Sequence, residues 1–100
     1  MGDYKGAVED YSEAIKINNF GFSYNNRGFA KYKLGKFLEG KKDCEKAIEL
    51  DPTNGWAYHY LGLINYDLGY KDKACKLFHK AVELGKEDAK IDIMEKCTKQ

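Results

Sequence analysis

Residues 21–54 read GFSYNNRGFAKYKLGKFLEGKKDCEKAIELDPTN, and residues 55–88 read GWAYHYLGLINYDLGYKDKACKLFHKAVELGKED. Laid over each other at an offset of 34, they share eleven identities, among them Gly21/Gly55, Tyr24/Tyr58, Gly28/Gly62, Tyr32/Tyr66, Gly35/Gly69, Ala47/Ala81 and Leu50/Leu84. Going backwards, Gly2, Ala14, Ile15 and Ile17 match Gly35, Ala47, Ile48 and Leu50 at an offset of 33. Self-similarity at a fixed period of this size marks a chain built from stacked supersecondary units.

Inside each unit the apolar spacing is helical. Tyr24, Gly28 and Tyr32 recur every fourth residue, as do Tyr58, Gly62 and Tyr66, while Cys44, Ala47, Ile48 and Ala74, Phe78, Ala81, Val82 form one-sided stripes. Gly35 and Gly69 stand where left-handed helix caps belong, Pro52 halts a helix, and Asn54 is placed to cap the next. The pattern predicts helices at 3–17, 22–34, 37–50, 55–68, 71–84 and 87–98. Linkers of a few residues make sequence neighbours antiparallel. Gly28 and Gly62 allow close helix approach, and Ala7, Ala14, Ala47, Ala74 and Ala81 accept the rings of Tyr11, Tyr24, Tyr58 and Phe78.

A 34-residue helix–turn–helix with this aromatic, Gly, Ala, aromatic, Ala order resembles the tetratricopeptide repeat. The second whole unit carries the pattern as Tyr58, Leu61-Gly62, Ala74, Phe78 and Ala81, and the first as Tyr24, Gly28, Cys44, Ala47 and Pro52. Arg27 departs where Leu is usual, and Gly40 where a small alanine sits. The resemblance implies an all-α fold, a right-handed α-solenoid of antiparallel helix pairs with six helices. The chain divides into the second helix of a truncated repeat (1–20), two repeats (21–54 and 55–88) and a C-terminal capping helix (87–100). The segment from Ala74 to Ala89 also bears a fainter likeness to Sel1-like repeats, common in bacteria.

The start falls mid-repeat, so the partner helix for Tyr4, Ala7, Tyr11 and Ala14 is missing. The chain therefore reads as part of a longer protein, or else as a short one hiding this face by self-association. At the other end Ala89, Ile93, Met94 and Cys97 form an apolar side opposite Lys90, Asp92, Glu95, Lys96 and Lys99, as a cap requires.

Composition narrows the function. Seventeen Lys and Arg against sixteen Asp and Glu give a net charge of +1, which argues against nucleic-acid or membrane partners held by bulk electrostatics. No signal segment opens the chain and no apolar run reaches membrane-spanning length, leaving the compartment unknown with the cytoplasm as default. Three cysteines and two histidines show no metal-ligand spacing, so neither a metal nor another cofactor is expected. No nucleophile–base arrangement or phosphate loop suggests an enzyme. The lysines crowding residues 31–46 alternate with Glu39, Asp43 and Glu45 and read as a solvated face. Pairing the last two helices about Lys86 sets Cys75 opposite Cys97; two buried free thiols are the expectation there, with a disulfide geometrically possible in an oxidising compartment.

In tetratricopeptide-like stacks the first helix of each pair lines the concave side. The candidate peptide groove is then Phe22, Asn25, Asn26, Phe29 and Lys33 with Trp56, His59, Tyr60, Leu63 and Asp67, while Tyr32 and Tyr66 pack laterally. Some members bind chaperone C-termini through a Lys, Asn and Arg carboxylate clamp. Asn26 matches its middle asparagine, but Trp56 and Tyr60 stand where Lys and Arg are needed. The expectation is a non-catalytic module holding an extended or helical peptide of unidentified source. The alternative is an assembly segment that oligomerises through its first helix.

Overall fold

A computed structural model describes residues 3–97 as six helices: α1 (Tyr4–Ile17), α2 (Gly21–Lys33), α3 (Phe37–Leu50), α4 (Gly55–Asp67), α5 (Lys71–Glu83) and α6 (Ala89–Lys96). Helices α2/α3 and α4/α5 are antiparallel hairpins, α4 packs on α3, and α2 lies beside α4. The stack is elongated, 45 × 25 × 22 Å. This is the all-α solenoid that the repeat implies.

The termini form for the reasons the residues suggest. Asp3 caps α1 by accepting from the Gly6 N–H at 2.8 Å, and Asn54 caps α4 by accepting from the Ala57 N–H at 3.3 Å. Gly35, Gly69 and Gly85 take φ of 83°, 97° and 97°, the left-handed region that glycine enters without a Cβ penalty. The Lys36 N–H then reaches back to the Lys31 carbonyl at 2.8 Å, closing the α2 C-terminus.

Close approach explains Gly40. A Cβ there would lie 2.7 Å from the Gly28 carbonyl oxygen, and one on Gly28 would lie 2.9 Å from that of Gly40. The α4/α5 hairpin solves the same crossing differently: Phe78 is fully buried against Gly62, where a Cβ would meet its ring at 2.6 Å. Two core clusters result, one of Ala74, Phe78, Ala81 and Ala89, the other of Cys44, Leu61 and Ile64.

Arg27, the departure from Leu, is paired. Its Nε and Nη2 each donate to an Asp43 carboxylate oxygen at 2.8 Å, its Nη1 donates to Ser12 Oγ of α1 at 3.0 Å, and Lys31 reaches Asp43 at 3.2 Å. The hydrogen-bonded Asp43 raises the Arg27 guanidinium above its ordinary value, against the opposing effect of burial. One period later the same two positions hold Leu61 and Leu77, an apolar pair.

The cap differs from the expectation in three ways. Helix α6 begins at Ala89 rather than residue 87: residues 87–88 form a turn in which the Ala89 N–H reaches the Lys86 carbonyl at 3.1 Å, and the Lys86 side chain folds inward with 9% exposure. Met94, expected inside, is 70% exposed. Asp92, expected on the polar outer side, turns inward and meets His59. The expected end of the helix at residue 98, and Lys99 with it, lie outside the described residues.

Candidate peptide groove

Aligning α2 and α4 side by side places one face of each on a shared wall, and aromatic rings run along it. Tyr4 of α1 meets Phe29 edge-on at 6.3 Å between centroids, Phe29 stacks on Tyr60 at 4.4 Å, and Tyr60 meets Trp56 at 5.8 Å. Phe22 is 57% and Trp56 52% exposed, although both are large and apolar. With Asn25, Asn26, Asn54 and Tyr60 they line a cleft of about 380 Å³. Beside it a wider cleft of about 690 Å³ is bounded by Phe20, Phe22, Leu50, Trp56 and Leu84. Burial pushes the Tyr60 hydroxyl up to about 12, so this ring remains neutral near physiological pH.

Of the expected groove residues, Phe22, Asn26, Phe29, Trp56 and Tyr60 share this wall. Lys33 is exposed, its ammonium 5.9 Å from the Phe29 ring centre. Asp67 is exposed and accepts from the Tyr32 hydroxyl at 2.7 Å, which joins the two repeats.

Three assignments need correction. Asn25 borders the cleft but is 2% exposed, its amide taken up by Asn26 and Asn54, so it forms the cleft's floor and not a free contact. His59 is 8% exposed, and its Nε2 sits 2.6 Å from Asp92 Oδ2 on α6. Leu63, one turn on from His59, follows it away from the groove and packs on the Ala74–Phe78 cluster. The reason is angular: successive helical residues are 100° apart, so with Tyr60 turned to the groove His59 is rotated toward Asp92 of α6 and Leu63 toward α5.

Two wall residues were not foreseen. Phe20 stacks on Phe22 at 5.4 Å, and its signal was an apolar residue standing immediately before a helix. Asn54 was read only as a cap. Tyr4, assigned to self-association, also reaches the wall through Phe29. Ala7, Tyr11 and Ala14 are half-buried along α1.

Three cationic groups near the wall are already engaged, Lys33 at its Phe29 end being the exception among the described residues. Lys86 donates to Asp88 at 2.8 Å and lies 3.6 Å over the Trp56 ring, while Arg27 and Lys31 are held by Asp43. Trp56 and Tyr60 thus present ring surface where a carboxylate clamp would present charge. Cys75 and Cys97 stand with Cα atoms 5.8 Å apart and their sulfurs joined; Cys44 is buried, which pushes its thiol up. Among the described residues no group of three or more His, Cys, Asp or Glu is placed to hold a metal, and no helix is long and apolar enough to cross a membrane.

Comparison with known proteins agrees with the repeat. Two models of the tetratricopeptide repeat match, over residues 22–54 and 44–91. The chain is 37% identical over 99 residues to Hsp70-Hsp90 organizing protein 3 of Arabidopsis thaliana, a match covering 97% of this chain and 18% of that protein. Among solved structures, the second TPR domain of human RPAP3 in complex with the HSP70 peptide SGPTIEEVD superposes with a TM-score of 0.85 at 29% identity, covering 98% of this chain and 84% of that one. The Arabidopsis OM64 TPR domain gives 0.82 at 33% identity, covering 88% and 75%. The 34-residue period, the six antiparallel helices and the two matching models together place this chain in the tetratricopeptide repeat family.

Proposed function

We propose that the chain is a non-catalytic protein-interaction module that holds a peptide segment of a partner protein along the α2/α4 wall. The observation that carries this reading is the exposure of Phe22 and Trp56 beside a continuous line of aromatic ring contacts. Exposed aromatic surface costs free energy in water, and Trp and Tyr dominate interface hot spots because they bury large area with little conformational entropy to lose. The relatives support it: one carries a bound HSP70 peptide on the same fold, and another is named for organising Hsp70 and Hsp90. Trp56 is the chain's single tryptophan, so its emission reports on the groove directly. Titration with a panel of extended peptides, SGPTIEEVD among them, is expected to give a saturable shift for at least one. Calorimetry is then expected to show that binding disappears in Trp56→Ala. A panel that leaves Trp56 silent, or a Trp56→Ala protein that binds as before, refutes the groove.

A second reading has its own observation. Helix α1 contains no buried residue, and Ile17 at its end is 78% exposed. The Tyr4–Ala14 face then serves self-association. Light scattering should show concentration-dependent dimers that Tyr11→Asp dissolves; a strict monomer at high concentration ends this reading.

A further inference from the structure

Along the groove floor runs a chain of three amides, and its direction is fixed at one end. The Ala57 N–H donates to Asn54 Oδ1 at 3.3 Å. A backbone nitrogen only donates, so this contact settles which end of the Asn54 amide is oxygen. Asn54 Nδ2 then donates to Asn25 Oδ1 at 2.7 Å, and Asn25 Nδ2 donates to Asn26 Oδ1 at 3.1 Å. Asn25 is 2% exposed, so turning its amide without a new partner would strand a buried polar group. What remains at the groove is Asn26 Nδ2, which meets no protein acceptor among the described residues. It borders the cleft between Phe22, Trp56 and Tyr60.

We infer that the Asn54–Asn25–Asn26 relay holds Asn26 as a hydrogen-bond donor, and that the groove thereby reads a main-chain carbonyl within an uncharged, apolar segment of a partner protein. Asn26 is the binding residue; Asn25 and Asn54 are positioning residues. The inference rests on the groove reading above and adds the chemistry of its occupant.

The neutral occupant follows from charge. A peptide's terminal carboxylate would also accept from Asn26, but taking it out of water calls for an opposing cation. Arg27 and Lys31 are committed to Asp43, Lys86 is committed to Asp88 and the Trp56 face, and Lys33, exposed beside Phe29, stands two helical turns along α2 from Asn26. A carbonyl flanked by apolar side chains needs one donor and ring surface, and both are present.

The change Asn54→Asp separates the relay from the fold. It keeps an acceptor for the Ala57 N–H and a favoured capping residue, so α4 still starts normally. It removes the donor to Asn25. Asn25 then donates toward position 54, Asn26 donates to Asn25, and an acceptor rather than a donor faces the groove.

The experiment compares wild type with Asn54→Asp. One probe set is an array of terminally blocked octapeptides of Leu, Ile, Phe, Ser and Gly, whose tightest binder is titrated in solution; the other probe is SGPTIEEVD with its free carboxylate. Readouts are Trp56 emission, the Asn26 side-chain amide resonance and the thermal midpoint. The blocked peptide is expected to shift both signals in wild type and to bind more tightly than SGPTIEEVD. Asn54→Asp is expected to lose about tenfold in affinity at an unchanged thermal midpoint. Equal affinity in the two proteins overturns the relay while the groove stands. Tighter binding of SGPTIEEVD than of every blocked peptide overturns the neutral occupant. Silence of Trp56 toward all peptides removes the groove and this inference with it.

Discussion

Replacing Arg27 by leucine, the residue found one repeat later, is expected to destabilise the protein despite restoring the family's usual side chain. The Asp43 side chain is 8% exposed and receives two hydrogen bonds from Arg27 at 2.8 Å each. Removing one partner of a buried pair leaves the other charge without compensation, which costs about 3–5 kcal/mol. Lys31 stays 3.2 Å from Asp43 and supplies part of what is lost, so Arg27→Leu belongs at the lower end, about 3 kcal/mol. The Ser12 contact to α1 goes as well. The double change Arg27→Leu/Asp43→Leu rebuilds the Leu61/Leu77 pair that the next hairpin already accommodates. It is expected to recover most of the loss, ending within about 1 kcal/mol of wild type, with a coupling of at least about 2 kcal/mol between the two sites, larger by whatever Asp43→Leu costs alone. Urea unfolding followed by far-ultraviolet circular dichroism measures all four corners of the cycle. Equal slopes with a recovered midpoint in the double change support the reasoning. A double change as unstable as Arg27→Leu alone refutes it, because the cost would then lie in lost packing and not in the orphaned charge.

Gly62→Ala would drive a methyl to 2.6 Å from the buried Phe78 ring and is expected to cost about 1–3 kcal/mol in thermal unfolding; an unchanged midpoint would show that the ring gives way freely. Non-reducing peptide mapping is expected to find Cys75 linked to Cys97, with Cys44 alkylated only on unfolding. Reduction should then lower stability by about 3 kcal/mol for the 22-residue separation, and three thiols in unreduced, denatured protein would contradict the link. Alkali is expected to unfold the chain. Burial raises the Tyr60 hydroxyl to about 12 and holds Tyr32 higher still with the help of Asp67, whereas an unfolded tyrosine ionises near ~10. The neutral-tyrosine contribution is whole below the unfolded value and is lost as pH rises through the folded one. Tyrosinate absorbance should therefore show a late-titrating fraction coincident with loss of helix, and a single transition of all eight tyrosines near the ordinary value would count against it.

What the sequence makes legible here is whatever the repeat says twice. Gly35 and Gly69 agree with each other, and both take positive φ; Gly28 and Gly62 agree, and both sit at close crossings. Two independent copies of one signal determine the helices, the turns and the seam of small and large residues. The places where sequence reasoning misplaced a side chain are those where the copies disagree. Asn25 pairs with His59 in the alignment, and both were assigned to the groove as unmatched polar residues on its helices. Each is buried because its partner comes from elsewhere in the chain: Asn54 from the inter-repeat turn, Asp92 from the cap. A period of 34 carries no information about contacts made only once, and such contacts are non-local in sequence. The same logic explains Arg27 and Asp43. Each looks like a lapse from the family pattern when read alone, and only the fold brings them within 2.8 Å. Departures from a repeat are therefore best read in pairs: a substitution at one position of a hairpin is compensated across the crossing, as Leu61 with Leu77 becomes Arg27 with Asp43. Tyr60 is accounted for from inside, packing beside the Cys44–Leu61–Ile64 cluster and stacking on Phe29, whereas Trp56 stays half exposed on the wall, and that exposure is what an outside partner would explain.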